Sequence, residues 1–441
     1  MKHSAIIRKE NFGYLIYTNT KKSYIVPTEE GKSVVEKVVY NLENSIEIYE
    51  GIEKKYVAEL EELGIDSGTR IVEHCGLVDR PLFAPLEYYF DFTSKCNLKC
   101  PHCYNKKHLD FKTMDSGTVE NIISEMYDLG INRLHLAGGE PTIEKKGIAN
   151  YLSVAKKNGI VTSMATNGTL LDDEMCEILT QMDLFAISIS IDGWDETTNS
   201  VRRGTGFFQR SVNGTKKLLH YRNLYGTGTE ICIKPIYTYD TPMDFFEKMI
   251  QMSIDIGVDK IKFANPERSL NHEIHHYGKY IDLYYKKLEH IHELQEKYRG
   301  KIRITNVTNP FVGCPQLGLP GMRGCIGAQE LLTINPDGRI TPCLMNDTVL
   351  GNYHDYNSIR KFLLCSDKLA DYIKMVDNEE CHSCEAYTMC RGGCQVRKIV
   401  EYTKICSHDP LCPKKYDEAK LKKPMDVKTE LFNFICVSHS L

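Results

Sequence analysis

Apolar and polar residues follow two different periods along this chain, and the change of period divides it. Over residues 1 to about 82, apolar runs at Gly13–Thr18 and Tyr24–Pro27 have the length of strands. Helical spacing follows at Thr28–Asn41 and Glu47–Leu63, and Pro81 and Pro85 then break the pattern. Two short strands with helices predict a small, winged-helix-like α+β unit over 1–82. From 86 to 300, strand-length runs recur at Leu86–Thr93, Arg133–Ala137, Ile160–Ala165, Leu184–Ile191, Glu230–Tyr237 and Lys260–Ala264. Helical stretches separate them at Thr118–Leu129, Gly147–Lys157, Asp173–Met182, Phe208–Tyr221, Pro242–Ile256 and Ile274–Tyr298, with Gly130 and Gly159 where helices should stop. This alternation predicts parallel strands joined by right-handed crossovers. Six such units give an α/β fold built on a partial (β/α)6 barrel, with chemistry at the C-terminal ends of the strands. Residues 310–415 are irregular and cysteine-rich, a composition that needs bound metal for part of its stability. The tail, 416–441, is charged and then apolar over Leu431–Val437, where a helix is expected.

Composition narrows the class. A chain of 441 residues, 42% of them apolar, can bury a sizeable core. A net charge of −4 gives no footing for a nucleic-acid partner. Met1–Glu10 is mixed and polar, and no run approaches the ~18 apolar residues of a membrane span, so the expected setting is cytoplasmic. The 17 cysteines are the anomaly. In a large chain without an export signal, clustered thiols point to metal before disulfides. Cys75, Cys176, Cys232, Cys365 and Cys436 are scattered and read as buried, inert thiols. The others fall within Cys96–Cys103 and Cys314–Cys412.

The first group, Cys96-Asn97-Leu98-Lys99-Cys100-Pro101-His102-Cys103, follows the first barrel strand. Three thiolates are one short of the four that close a cubane, so a [4Fe–4S] cluster here would keep one iron open. Zinc is the other reading, although its knuckles use paired cysteines. Gly138-Gly139-Glu140-Pro141 ends the second strand; alone it reads as a turn, yet glycines permit close backbone approach and a carboxylate complements an ammonium. Thr166-Asn167-Gly168 ends the third strand and Ser188-Ile189-Ser190-Ile191-Asp192-Gly193 the fourth, with Arg202 and Arg203 shortly after.

The cysteine spacing, its place after the first strand and these strand-end segments together resemble the radical S-adenosylmethionine (SAM) superfamily. The resemblance implies that Cys96, Cys100 and Cys103 hold a [4Fe–4S] cluster whose open iron chelates SAM, and that His102 contacts adenine. It implies that Gly138, Gly139, Glu140 and Pro141 hold the SAM amino group, and that Thr166, Asn167, Ser190 and Asp192 face ribose and carboxylate. Arg203 is the arginine taken to pair with the carboxylate. Reductive cleavage of SAM would then give methionine and a 5′-deoxyadenosyl radical that takes a hydrogen from the substrate.

Cys325, Gly338 and Cys343 are followed by Cys381, Cys384, Cys390, Cys394 and Cys412. This order resembles the SPASM domain, an extension of radical SAM enzymes that act on peptides and proteins. The resemblance implies two auxiliary [4Fe–4S] clusters: Cys325, Cys343 and Cys394 for the first, with Cys314 as candidate fourth ligand, and Cys381, Cys384, Cys390 and Cys412 for the second. Cys406 rivals Cys412. Sulfatase-maturing relatives carry an aspartate base after the second auxiliary cysteine; Leu344 stands here, which argues against formylglycine formation.

The first 80 residues resemble the element that captures a leader peptide as an added strand in enzymes tailoring ribosomally made peptides. The expected function is therefore cross-linking of a precursor peptide bearing a leader, with a thioether first and a carbon–carbon bond second, and with flavodoxin or ferredoxin as reducing partner. An electron-transfer protein would share the clusters but needs neither the three-cysteine site nor Gly138–Pro141.

Overall fold

The computed structural model describes residues 5–105, 112–264, 280–306, 324–384, 387–402 and 408–412. Cys314, Cys406, Cys436 and the helix expected at Leu431–Val437 lie outside the described residues.

The N-terminal unit is a four-stranded sheet, β1 (Ala5–Glu10), β2 (Gly13–Thr18), β3 (Ser23–Ile25) and β4 (Arg70–Glu73), in the order β3-β2-β1-β4. β1 and β4 pair in parallel; the sequence pattern missed both because their charged residues interrupt the apolar runs. The helix Glu29–Glu43 begins at Thr28, whose side chain accepts from the Gly31 amide, and buries Val35, Val38 and Val39 against Ile7 and Ile16. The opposite sheet face places Ile6, Leu15, Tyr17 and Tyr24 on Leu82, Leu86 and Val161, at the starts of barrel strands. Arg8 is wholly buried there, paired with Glu10 and donating to the carbonyls of Ala84 and Pro85 at 2.5 and 3.0 Å. The Tyr24 hydroxyl donates to Leu86 O and accepts from the Asn132 amide, both at 2.9 Å. The unit is thus the floor of the barrel.

The barrel strands are β5 (Glu87–Phe90), β6 (Arg133–Leu136), β7 (Val161–Thr166), β8 (Ala186–Ile189), β9 (Glu230–Ile233), β10 (Lys260–Phe263) and β11 (Arg303–Asn306), parallel and adjacent in chain order. The six expected strand–helix units are present. β11 adds a strand that the sequence pattern left at the start of the irregular region. The sheet does not close. On its other side β12 (Leu331–Ile334) pairs in parallel with β5, and β13 (Arg339–Thr341) and β14 (Gly351–Asn352) continue antiparallel. The cysteine-rich region is therefore built onto the barrel sheet.

Alternation along each strand sorts its residues. Phe90, Leu136, Met164, Ile189, Ile233 and Phe263 point outward into the main core under the helices. Tyr89, His135, Ser163, Ser188, Cys232 and Lys262 fall on the opposite, concave face. Cys176 and Cys232 are buried as expected, but Cys75 and Cys365 are exposed, a correction with a simple cause: one follows an edge strand and the other ends a short surface helix. Among the described residues no helix is long and apolar enough to cross a membrane.

Candidate active site

The cysteine loop leaves the C-terminal end of β5 and is held by the backbone of the next strand end. Gly139 and Glu140 amides donate to Thr93 O and Lys95 O at 2.8 and 2.7 Å. A Cβ on Gly138 would stand 2.4 Å from Thr93 O, and one on Gly139 would stand 2.1 Å from Lys95 O. Both glycines are thus required by the cysteine loop itself, before any ligand is considered.

Glu140 is 1% exposed. Its Oε1 accepts from the Thr142 amide (3.1 Å), Thr142 Oγ1 (2.5 Å) and Thr166 Oγ1 (2.6 Å), and its Oε2 from the Asn167 amide (2.7 Å). Burial pushes its pKa up, against these bonds. Room for a further donor remains only at Oε2. Asn167 extends the network to the cysteine loop: its Nδ2 donates to Asn97 Oδ1 at 2.9 Å, while Asn97 Nδ2 donates to Thr169 Oγ1 at 2.8 Å. Asn97 and Thr169 join the ends of β5 and β7, a role no motif announced. Pro141 opens the short turn Pro141–Ile143, and the Ser190 amide donates to Thr166 O.

Asp192, after β8, gathers three groups. Its Oδ1 accepts from the Ile236 amide at 2.7 Å; its Oδ2 accepts from Arg203 Nε at 2.5 Å and lies 3.5 Å from His102 Nε2. Burial opposes its charge, but Arg203 and then His102 hold its pKa low. Arg203 Nη1 also donates to Cys100 Sγ at 3.7 Å. The arginine expected to pair with a SAM carboxylate is therefore engaged with Asp192 and a cluster cysteine; Arg202 donates to Thr238 Oγ1. Burial pushes His102 down to about 4, so it is neutral. With Nε2 toward Asp192, its Nδ1 is a buried acceptor with no partner among the described residues, which suits a donor on a bound ligand.

The thiols meet the chemical demands of a cluster. Burial pushes Cys96 up to about 11 and raises Cys100 and Cys103; the charges of Cys100 and Cys103 add to the rise at Cys96, and that of Cys100 to the rise at Cys103. All three keep their protons unless a metal supplies positive charge. Among the described residues no group of three His, Cys, Asp or Glu side chains is placed for a single metal ion. Asp91, just past β5, is pushed by burial up to about 7; its Oδ2 accepts from Asn105 at 3.0 Å and its Oδ1 has no partner among the described residues.

The lumen below is polar and carries cations. The Tyr89 and His135 rings lie tilted against each other with centroids 4.6 Å apart, and burial pushes His135 down to about 3. β9 and β10 align Cys232 with Lys260, so the register carries Lys234 beside Lys262. Burial, then Lys262, pushes Lys234 down to about 8. Because an unfolded lysine titrates near ~10.4, the unfolded chain binds more protons between these values and stability rises with pH there. Below about 8 the penalty is fully present. Lys234→Met is expected to unfold at higher temperature than the parent at pH 7, by on the order of 1 kcal/mol after allowance for lumen water, and to lose that advantage toward pH 10. Thermal melts at the two pH values check it; no gain at pH 7 contradicts a desolvated ammonium.

In the second region the cysteines gather in two sets. Burial raises the pKa of Tyr372, and the charges of Cys325, Cys343 and Cys394 raise it further. Cys381 feels Cys390 and Cys384, and Tyr285 feels Cys412 and Cys390. Asp409 ties them: paired with Arg397 at 2.6 Å, it accepts from the Cys394 amide at 2.7 Å and the Leu411 amide at 2.9 Å. Amides already point at sulfur, Gly327 N at Cys325 Sγ (3.5 Å) and Asn378 Nδ2 at Cys381 Sγ (3.2 Å), as cluster-bound thiolates require. Gly338 makes the turn between β12 and β13 at φ +81°.

A three-thiol loop at the mouth of a parallel-stranded half-barrel, followed by two further thiol sets, defines an iron–sulfur enzyme of the radical type. Residues 90–249 match the sequence profile of the Radical SAM superfamily, and 325–386 match that of the SPASM iron–sulfur cluster-binding domain. The chain carries a radical SAM domain followed by a SPASM domain, and SAM and iron–sulfur clusters are its cofactors. PqqA peptide cyclase of Bradyrhizobium diazoefficiens is 24% identical over 363 residues, spanning 74% of this chain and 86% of that protein. Mycofactocin maturase MftC of Mycolicibacterium smegmatis is 23% identical over 367 residues, spanning 80% and 88%. The fold is similar to Streptococcus suis SuiB bound to S-adenosylmethionine, with a TM-score of 0.66 at 19% identity over 93% of this chain and 98% of that one.

Proposed function

We propose that this chain is a maturase that cross-links a ribosomally made precursor peptide, with three working parts: 1–82 binds the leader, 86–300 performs the radical step, and 310–415 carries the auxiliary clusters. The observation that carries this reading is the small sheet with an open edge at β3, docked as the barrel floor of a radical SAM domain. A match over 93% of the chain to SuiB leaves too few residues outside it to exclude this unit, and SuiB has also been solved bound to its precursor peptide SuiA. The relatives' names, peptide cyclase and maturase, support the same substrate class.

The residues divide the work. Cys96, Cys100 and Cys103 hold the cluster, Arg203 steadies the Cys100 thiolate, and Asp192 orients Arg203 and His102. The Nδ1 of His102 and the remaining lone pair of Glu140 Oε2 are the acceptors offered to SAM. When bound, the reduced cluster and SAM supply the 5′-deoxyadenosyl radical. The lumen, lined by Lys234, Lys262, His135 and Tyr89, receives the peptide segment to be modified and favours one bearing a carboxylate. A thioether is the leading product and a carbon–carbon bond the second; alkylation with iodoacetamide separates them, since only a thioether consumes a peptide thiol. The reducing partner is a small one-electron carrier such as flavodoxin or ferredoxin.

The leader site and the radical site lie at opposite ends of the strands. β7 spans six residues, Val161–Thr166, about 20 Å at ~3.3 Å each, so the peptide needs at least about six residues between recognised leader and modified position. Removing the leader is expected to cut peptide modification about a hundredfold or more while SAM cleavage without peptide continues. A spacer shortened below about six residues should have the same effect. Modification that is indifferent to leader and spacer, measured by mass spectrometry, would refute leader capture.

A further inference from the structure

Lys398 sits among the auxiliary cysteines without an assigned task. It lies on the helix Gln395–Tyr402, is 0% exposed, and its Nζ has no hydrogen-bond partner among the described residues. Its neighbour Arg397 is equally buried but is paired with Asp409. A buried, unpaired ammonium is strongly unfavourable unless negative charge stands beside it. Thiols of both sets do. A Cβ placed on Gly392 would stand 3.4 Å from Lys398 Nζ and 4.0 Å from Cys381 Sγ, so cation and sulfur border one small space, kept clear by a glycine at φ +85°. On the helix Lys398 lies one turn beyond Cys394 of the other set, whose carbonyl accepts from the Lys398 amide at 3.3 Å.

We propose that Lys398 is the shared counter-charge of the two auxiliary clusters, standing beside Cys381 of one and one helical turn from Cys394 of the other, and that it sets their reduction potentials. The proposal rests on the reading that these two cysteine sets carry [4Fe–4S] clusters. A cubane with four thiolates is anionic and gains a further negative charge on reduction, so a cation in a poorly screened interior favours the reduced form. One ammonium facing both clusters makes both better acceptors. The step that needs an acceptor is closure of the product bond: a carbon radical and a thiol give a thioether, one proton and one electron, and the electron passes to an auxiliary cluster. Lys398 also couples the two, since charge added to one cluster weakens its field at the other.

The test uses the full-length protein with Cys96, Cys100 and Cys103 replaced by alanine, so that only auxiliary clusters contribute to the electron paramagnetic resonance signal. Redox titrations then compare this parent with versions also carrying Lys398→Met, Lys398→Gln or Lys398→Arg. The neutral substitutions are expected to lower the equilibrium constant for reduction of both clusters at least about tenfold, 59 mV for one electron, while Lys398→Arg stays close to the parent. Iron lost from both neutral variants but kept in Lys398→Arg also supports the proposal, because charge alone then separates them. Full iron with unchanged potentials in the neutral variants overturns it, and so does iron loss from all three, which would mark a packing role. A parent without about eight irons per chain fails the cluster reading instead, a separate result.

Discussion

Cys100→Ala is expected to abolish 5′-deoxyadenosine formation while iron falls only from about twelve to about eight per chain. Cys100 is the central cysteine of its loop, the proposed middle ligand, and the one that Arg203 contacts, at 3.7 Å. Its loss leaves two thiols, too few to hold a cubane with one defined open iron. The auxiliary sets lie on different segments and share no ligand with the loop, so their iron should remain. Arg203 keeps Asp192 as partner and the barrel should stay folded. Peptide affinity should be unchanged, because the proposed leader site lies at the other end of the strands. Retained SAM cleavage in this variant would contradict the assignment.

Gly139→Ala should come close to the same loss of activity without touching a ligand. The added carbon would stand 2.1 Å from Lys95 O and 2.6 Å from Lys95 C, both backbone atoms that no rotamer change can move. Overpacking of this kind costs about 1–3 kcal/mol or more. Here the strain falls on the residue next to Cys96, so the loop shifts, first-site iron is lost and SAM cleavage falls. Gly159→Ala is the control. At φ +70° with nothing within 4 Å, it should cost about 1 kcal/mol and leave cleavage intact. Equal cleavage by Gly139→Ala and the parent would show that the loop does not depend on this contact.

Cysteines and glycines were legible in the sequence because their roles impose fixed spacing. Three thiols around one cluster, or a glycine against a backbone carbonyl, leave a local signature. The barrel strands were legible for a similar reason: each alternates between an apolar side under helices and a polar side toward the lumen. What escaped is what depends on long-range pairing. Asn97 and Thr169 are 72 residues apart and meet only when β5 and β7 are both in place. Lys234 and Lys262 become neighbours through strand register, and Asp409 finds Arg397 and the Cys394 loop only in the folded cysteine region. β1 and β4, whose charged residues interrupt their apolar runs, become a parallel pair only across about 60 residues of chain. The reading of Gly138 and Gly139 as ligand-facing was incomplete: their closest demand comes from Thr93 and Lys95. Deletion of residues 1–80, an obvious test of leader binding, is also unsuitable, since it would uncover Leu82, Leu86 and Val161.

The most direct measurement is the mass of a candidate precursor peptide after anaerobic co-expression with the wild-type chain and, separately, with Cys100→Ala. The account predicts a product lighter by two hydrogen atoms with the wild type only, its fragments locating the new bond beyond the leader. A peptide of unchanged mass, under conditions where the same preparation releases 5′-deoxyadenosine on another substrate, would contradict it.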